Sequence, residues 1–297
     1  MRVFSDAEVP MSAIHIPADL PLFHRQDDCL VPTRLAAGPW YPGTQHGSTM
    51  LLMVAMAAEQ VPGGDNRQIT RLTVDMMRAA PMGPVSLQAE ARRQGGSLDV
   101  LDLALHAEGR ECVRASALRF RLARIPVIDR LRFPGSSPAL PAPLAESPFA
   151  HVAHREGFHQ ASEIRVDLQS DPSVLWLRLR QPVLPGQTAT PLQRVALAAD
   201  WTYSVPNIIH RIRTGEGLRS QSFFAINPDT TINLQRQPEG EWIGIQAYPG
   251  FDDYGAGTVA APLFDQQGVI GFCTQSVLIR GEEAAPMHVK DIPTDQG

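Results

Sequence analysis

The feature that most constrains this chain is an internal duplication. The segment Thr73–Arg121 lines up with Thr231–Arg280 at a nearly constant offset. TVDMMR, beginning at Thr73, meets TINLQR, beginning at Thr231. Pro81 and Gly83 then meet Pro238 and Gly240, and Gln88-Ala89 meets Gln246-Ala247. Gly96, Gly109 and Arg121 meet Gly255, Gly268 and Arg280 in turn. An ordered series at an offset of about 158 residues is longer than a solenoid period and reads as two copies of one unit.

Each copy carries a helix followed by strands. In the second, Thr190 suits an N-cap, Pro191 the first helical position and Gln193 the capping-box partner. Leu192, Val195, Ala196 and Ala199 recur with helical spacing, and Leu51, Val54, Ala55 and Ala58 repeat that stripe in the first copy. The next residue on each stripe is a carboxylate, Asp200 or Glu59. A carboxylate continuing an apolar face is costly to bury unless hydrogen bonds or a proton offset its desolvation.

The spacing predicts strands at Val85–Ala91, Leu98–His106, Cys112–Phe120, Trp242–Tyr248, Thr258–Phe264 and Val269–Ile279. Glycine precedes the final strand of each copy, as a tight hairpin favours. A strand also precedes each helix, at Phe23–Arg34 and Val174–Arg180. Six prolines between Ile125 and Phe149 mark a linker, which divides the chain into units 1–124 and 150–297 around a segment 125–149. Two helix-on-sheet units can join their edge strands into one sheet, because an exposed edge is a liability that pairing removes. The expected fold class is α+β: a fused pseudo-dimer with a site between its halves.

Composition narrows the function classes. With 297 residues, 43% hydrophobic and 19% charged, the chain has ample core material. A net charge of -5 argues against duplex nucleic acid as a partner. The longest apolar run, around Met50–Ala58, is short for a membrane span. Cys29, Cys112 and Cys273 are scattered, which suits neither a disulfide framework nor a zinc site. The first twenty residues show no charged leader with an apolar core, so the expectation is a cytoplasmic protein without a secretory signal. With no HExxH and no clustered His/Asp set, no metal and no cofactor are expected.

Four stretches resemble the double hotdog acyl-CoA thioesterases, the thioesterase II-like family. GPWYPGTQHGS (Gly38–Ser48) is similar to that family's Gly-Pro-Trp…His-Gly-Gly approach to the first helix. ITRLTVDMMRAAPMGP (Ile69–Pro84) is similar to its central strand, and PLQRVALAADW (Pro191–Trp201) to its second helix. INLQRQPEGEWIGIQA (Ile232–Ala247) with GFCTQSVLIR (Gly271–Arg280) is similar to its closing strands. The resemblance implies two tandem hotdog units sharing a continuous antiparallel sheet wrapped around two long helices. It also implies hydrolysis of an acyl-CoA thioester by an activated water, with acyl-CoA as the partner and no metal.

The family's catalytic Asp falls on Asp200 and its Gln on Gln275. Its hydroxyl residue falls on Asn227, a departure, since an amide cannot donate a hydroxyl proton. A slip in alignment would bring in Thr230 or Thr231 instead. His46, Gly47 and Ser48 stand at the thioester-binding position through helix-start N–H groups, with Ser48 replacing the family's second Gly. Ser116 is read as the first-copy counterpart of Gln275, which leaves one competent site.

Asp200 would help the water attack, with Asn227 and Gln275 positioning it. A helix-end carboxylate simply emerging into solvent, and a glutamine on a sheet face, are the plainer accounts of the same residues. Arg92-Arg93 and the run from His210 through Arg219 are candidates for the phosphates of CoA, with solvated surface charge as the alternative. The alternative function is a non-catalytic acyl-CoA or acyl-carrier binding protein on the same fold. An enoyl-CoA hydratase is a remoter reading, because no D-x-x-x-x-H spacing follows Asp75 or Asp200. Assembly of pseudo-dimers into a homo-oligomer is left open.

Overall fold

The structure is a computed structural model of the chain and describes residues 14–39, 42–63, 65–126, 131, 137–145, 147–149, 156–214 and 223–281. Residues 127–130, 132–136 and 146 of the proline-rich segment, Trp40 and Tyr41, Gly64, and residues 215–219 of the basic run lie outside the described residues.

The first half contains strands β1 (Phe23–Gln26) and β2 (Cys29–Pro32), helix α1 (Gly47–Gln60), and strands β3 (Arg67–Met76), β4 (Val85–Gln94), β5 (Leu98–Ala107) and β6 (Arg110–Arg121). The second half contains a short helix α2 (Phe158–Ala161), strands β7 (Ser162–Asp167) and β8 (Val174–Leu179), and helix α3 (Pro191–Ala199). A 3-10 turn (Asp200–Ser204) leads into helix α4 (Val205–Thr214). Strands β9 (Phe223–Ile226), β10 (Asp229–Leu234), β11 (Ile243–Gln246), β12 (Tyr248–Phe251), β13 (Ala256–Asp265) and β14 (Gly268–Gly281) complete it. The single strand expected at Phe23–Arg34 is a hairpin, broken where Asp27 takes a φ of 51°.

The described strands form one 14-stranded sheet, ordered β1-β2-β4-β5-β6-β3-β10-β14-β13-β11-β8-β7, with β12 added on β13 and β9 on β14. Each half repeats the same order about the centre: β3 and β10 are innermost, and the strands before each main helix lie outermost. The halves join through antiparallel β3 and β10, in which Thr73 stands opposite Thr231. These two threonines are each other's equivalents in the duplication, so the pseudo-twofold axis passes between them.

The same registers correct one equivalence. Thr73 pairs with Ser116, and Thr231 with Thr274, so Ser116 corresponds to Thr274 and Gln275 to Ala117. Ser116 lies toward the other face of the sheet, where its Oγ accepts a hydrogen bond from Arg71 Nη2. Alternation along a strand makes a one-residue slip a change of face.

Both main helices lie inside the curve of this sheet. α1 is buried from Ser48 to Ala58, all round rather than on one stripe, because sheet and α3 enclose it from opposite sides. Ala55, Ala58, Ala196 and Ala199 are fully buried and permit the close approach of α1 and α3. The α3 start adopts the expected capping box, with Thr190 accepting from the Gln193 N–H and Gln193 bonding back to Thr190 N. The regular α-helix then lasts only nine residues before tightening into the 3-10 turn at Asp200.

Candidate active site

Asp200 does not emerge into solvent. It is 3% exposed, and its carboxylate sits at the N-terminus of α1 from the other half of the chain. Ser48 Oγ donates to Oδ2 at 3.1 Å, and Asn227 Nδ2 donates to Oδ1 at 3.0 Å. A Cβ added to Gly47 would stand 2.3 Å from Oδ1, so glycine at 47 is what lets the carboxylate approach the helix end. The N-terminal end of a helix carries partial positive charge and unpaired N–H groups, which suits an anion.

His46 is the N-cap of α1. Its Nδ1 accepts the Ser48 N–H at 3.1 Å and also lies 3.3 Å from Asp200 Oδ2. One nitrogen cannot accept an N–H and donate to a carboxylate at once. The capping bond therefore places the imidazole proton on Nε2 and makes the second approach a contact without a proton between. His46 packs in an aromatic stack, 4.8 Å from the Phe158 ring and 5.8 Å from that of Trp201. Phe149 meets Trp201 edge-on at 5.6 Å. Trp201 Nε1 donates to Ser48 Oγ at 3.0 Å.

Gln275 is 1% exposed and reaches the backbone of Asp200 rather than its carboxylate. Its Oε1 accepts the Tyr203 N–H at 2.8 Å, while Nε2 donates to Thr230 Oγ1 at 2.8 Å and to the carbonyls of Ala199 and Asp200 at 3.2 and 3.4 Å. Helix ends leave carbonyls without intrahelical partners, and this amide serves two of them where α3 tightens. Thr230, one alternative hydroxyl, is bonded to Gln275; Thr231, the other, bonds Thr73 across the seam at 3.3 Å. Asn227 therefore holds the position beside Asp200. Cys273, below the end of α3, is no nucleophile, because burial pushes its thiol up to about 12.

The opposite end of the helix pair shows what the duplication became without counterparts of Asn227 and Gln275. Glu59, at the end of α1, accepts from Thr190 Oγ1 at 2.6 Å and Gln193 Nε2 at 2.7 Å, at the start of α3. Each helix thus ends in a carboxylate that meets the N-terminus of the other. Burial raises the Glu59 pKa against the lowering effect of those two donors. Ile69 stands where the second half has Asn227, and Ala117 where it has Gln275. A cleft of about 170 Å³ remains there, lined by Ala58, Glu59, Arg67, Ile69, Arg119 and Leu192 among others.

Arg92 is tied to Asp102 at 2.7 Å and to Glu90 at 3.1 Å, and Arg213 Nη2 donates to Ser173 Oγ at 2.8 Å. Among the described residues no group of three His, Cys, Asp or Glu side chains could hold a metal ion, and no helix is long and apolar enough to cross a membrane.

The N-terminal domain model of the acyl-CoA thioesterases matches residues 36–120, and the corresponding C-terminal domain model matches residues 131–279. The chain belongs to the acyl-CoA thioesterase family. It is similar in fold to an acyl-CoA thioesterase II, TesB2, from Mycobacterium marinum, at 14% identity and a TM-score of 0.61, over 91% of this chain and 98% of that one. A TesB protein of Mycobacterium avium subspecies paratuberculosis matches at 13% identity and a TM-score of 0.60, over 85% and 92% of the two chains. A hotdog-fold protein from Alicyclobacillus acidocaldarius matches at 16% and 0.58, over 84% and 90%. Sequence comparison with curated proteins finds no match. As a member of this family the chain is a thioester hydrolase of double hotdog fold.

Sequence reasoning missed Trp201 and Phe158 as site residues. Trp201 follows Asp200 directly, but nothing in the local pattern says that its ring turns back onto α1. Phe158 comes from beyond the proline-rich segment, where helical and strand periodicities are both weak.

Proposed function

We propose that the chain hydrolyses an acyl-CoA thioester by direct attack of a water held at Asp200. The observation that carries this reading is the burial of the Asp200 carboxylate between Ser48 and Asn227 with each oxygen taking one donor. An ionised carboxylate has about four acceptor positions, so one lone pair on each oxygen stays open for a water proton. Asp200 would accept that proton as oxygen adds to the carbonyl carbon, and return it to the departing CoA sulfur. The path uses no metal.

Asn227 holds Oδ1 through its amide, in place of the family's hydroxyl. Gln275 is the residue that positions Asp200, through the turn at residues 199–203. The Ser48 N–H is engaged by His46, so the helix-start donor for the developing oxyanion narrows to Gly47 N–H. His46 and Ser48 shape that corner of the site.

The test is release of free CoA thiol from short, medium, long and aryl acyl-CoAs by wild type and Asp200→Asn. The reading expects release by wild type on at least one chain class and a loss of about 10²-fold in the variant. No release on any substrate, or full activity in Asp200→Asn, would overturn it.

A further inference from the structure

We infer that Trp201 and Ser48 act together as a positioning pair for Asp200, a proposal that rests on the hydrolytic reading above. Three groups form a directed chain through the core: Trp201 Nε1–H to Ser48 Oγ at 3.0 Å, then Ser48 O–H to Asp200 Oδ2 at 3.1 Å. Ser48 is fully buried, Trp201 is 5% exposed and Asp200 3% exposed, so bulk water does not compete for these bonds.

The direction of the chain follows from the chemistry of its members. Indole nitrogen can only donate, and an ionised carboxylate can only accept. The Ser48 hydroxyl must therefore accept from Trp201 and give its own proton to Asp200. Hydrogen bonds in series polarise one another, so the indole strengthens the donation that Asp200 receives. Asn227 holds the other oxygen from the opposite side. The carboxylate plane is thereby clamped by two elements, α1 and the segment after β9, and its open lone pairs keep a fixed direction toward the water.

Neither Trp201 nor Ser48 touches the reacting atoms in this scheme; both act through Asp200. Misaiming a reacting group by about 1 Å is enough to lower the rate strongly. Trp201→Phe keeps most of the ring that packs against His46 and Phe149 and deletes the N–H.

The experiment measures steady-state thiol release by wild type, Ser48→Ala, Trp201→Phe, the double variant and Ser48→Thr. The pair predicts a fall in kcat of about tenfold in Ser48→Ala, the scale of a lost hydrogen bond to a charged group, with KM nearly unchanged. Trp201→Phe falls less, the double variant is no worse than Ser48→Ala alone, and Ser48→Thr restores most of the rate. In parallel, the Trp201 indole N–H proton resonance moves upfield in Ser48→Ala while those of Trp176 and Trp242 stay.

Losses that multiply in the double variant, unchanged kcat in either single variant, or an unmoved indole resonance would overturn the pair while leaving the hydrolytic reading intact. If Ser48→Ala fails to fold, Trp201→Phe with its kcat and KM decides the matter alone. Wild type inactive on every acyl-CoA would instead remove the hydrolytic reading, and the positioning role with it.

Discussion

Thr73 and Thr231 meet across the central strand pair with their hydroxyls 3.3 Å apart, and they are the same residue of the ancestral unit. An axis through that contact maps each helix end onto the other. It carries Asp200, held by Ser48 and Asn227, onto Glu59, held by Thr190 and Gln193. The carboxylate-on-helix-end contact is common to both ends. The amide at 227 and the glutamine at 275 belong to one end, the end at which hydrolysis is proposed.

Gly47 is the tightest contact in the site. Gly47→Ala would push a methyl group into Asp200 Oδ1. The expected result is a folded protein whose kcat falls by about 10²-fold, since the carboxylate must shift by an appreciable fraction of an ångström or more. Thiol release compared with thermal midpoint checks it; an unshifted rate would mean that Asp200 need not stay where it is.

Asn227→Ala removes the donor to Oδ1 and leaves Ser48 alone on the carboxylate. A loss of about tenfold in kcat is expected, in line with one hydrogen bond to a charged group. Asn227→Thr places a hydroxyl in the same corner and is expected to exceed the alanine variant. Equal rates in the two variants would show that position 227 contributes no donor.

Thr190→Val separates structure from chemistry. It deletes the N-cap of α3 and one donor to Glu59, at the end remote from Asp200. Chemical denaturation is expected to show a loss of about 1–2 kcal/mol, as caps of this kind contribute. The rate per folded molecule should stay at the wild-type value, and a large fall in kcat would tie the two ends together functionally.

Asp265 sets an acid limit to stability. Burial of its carboxyl raises the pKa, but the Arg236 guanidinium and the Glu239 and Gln267 N–H groups outweigh this and hold it below the ordinary 3.8. A carboxyl depressed in the folded state stabilises the protein above its unfolded value, and that contribution is lost as pH falls through the folded value. Asp265→Asn is therefore expected to lower stability at neutral pH by about 2 kcal/mol, while the gap to wild type closes below about pH 4. Urea midpoints measured from pH 7 to pH 3 test this; a gap that widens in acid would contradict it.

Much of the architecture was legible in the chain itself. The capping box at Thr190 and Gln193, the turn at Glu108-Gly109 with positive φ at both residues, and the constant offset of the duplicate strands are local or additive signals. So is the anomaly of a carboxylate on an apolar stripe, which singles out Asp200 and Glu59. The family resemblance points to Gln275, and local pattern could not say that its amide would be engaged by the end of α3 rather than by water. It also could not separate Ser116 from Ala117, because the face of a strand residue depends on a register that only the paired strands set.

What the amino-acid order determined by itself is the repeating unit: a capped helix, alternating strands and turn glycines, each fixed by interactions within a few residues. What the tertiary structure decided is who meets Asp200. Ser48 lies 152 residues away and Asn227 lies 27 away. Those contacts exist because two helices run antiparallel inside the curve of one sheet and bring one helix's end to the other's beginning. Contacts of that kind leave no periodicity in the chain, since they depend on packing between elements and not on spacing along them.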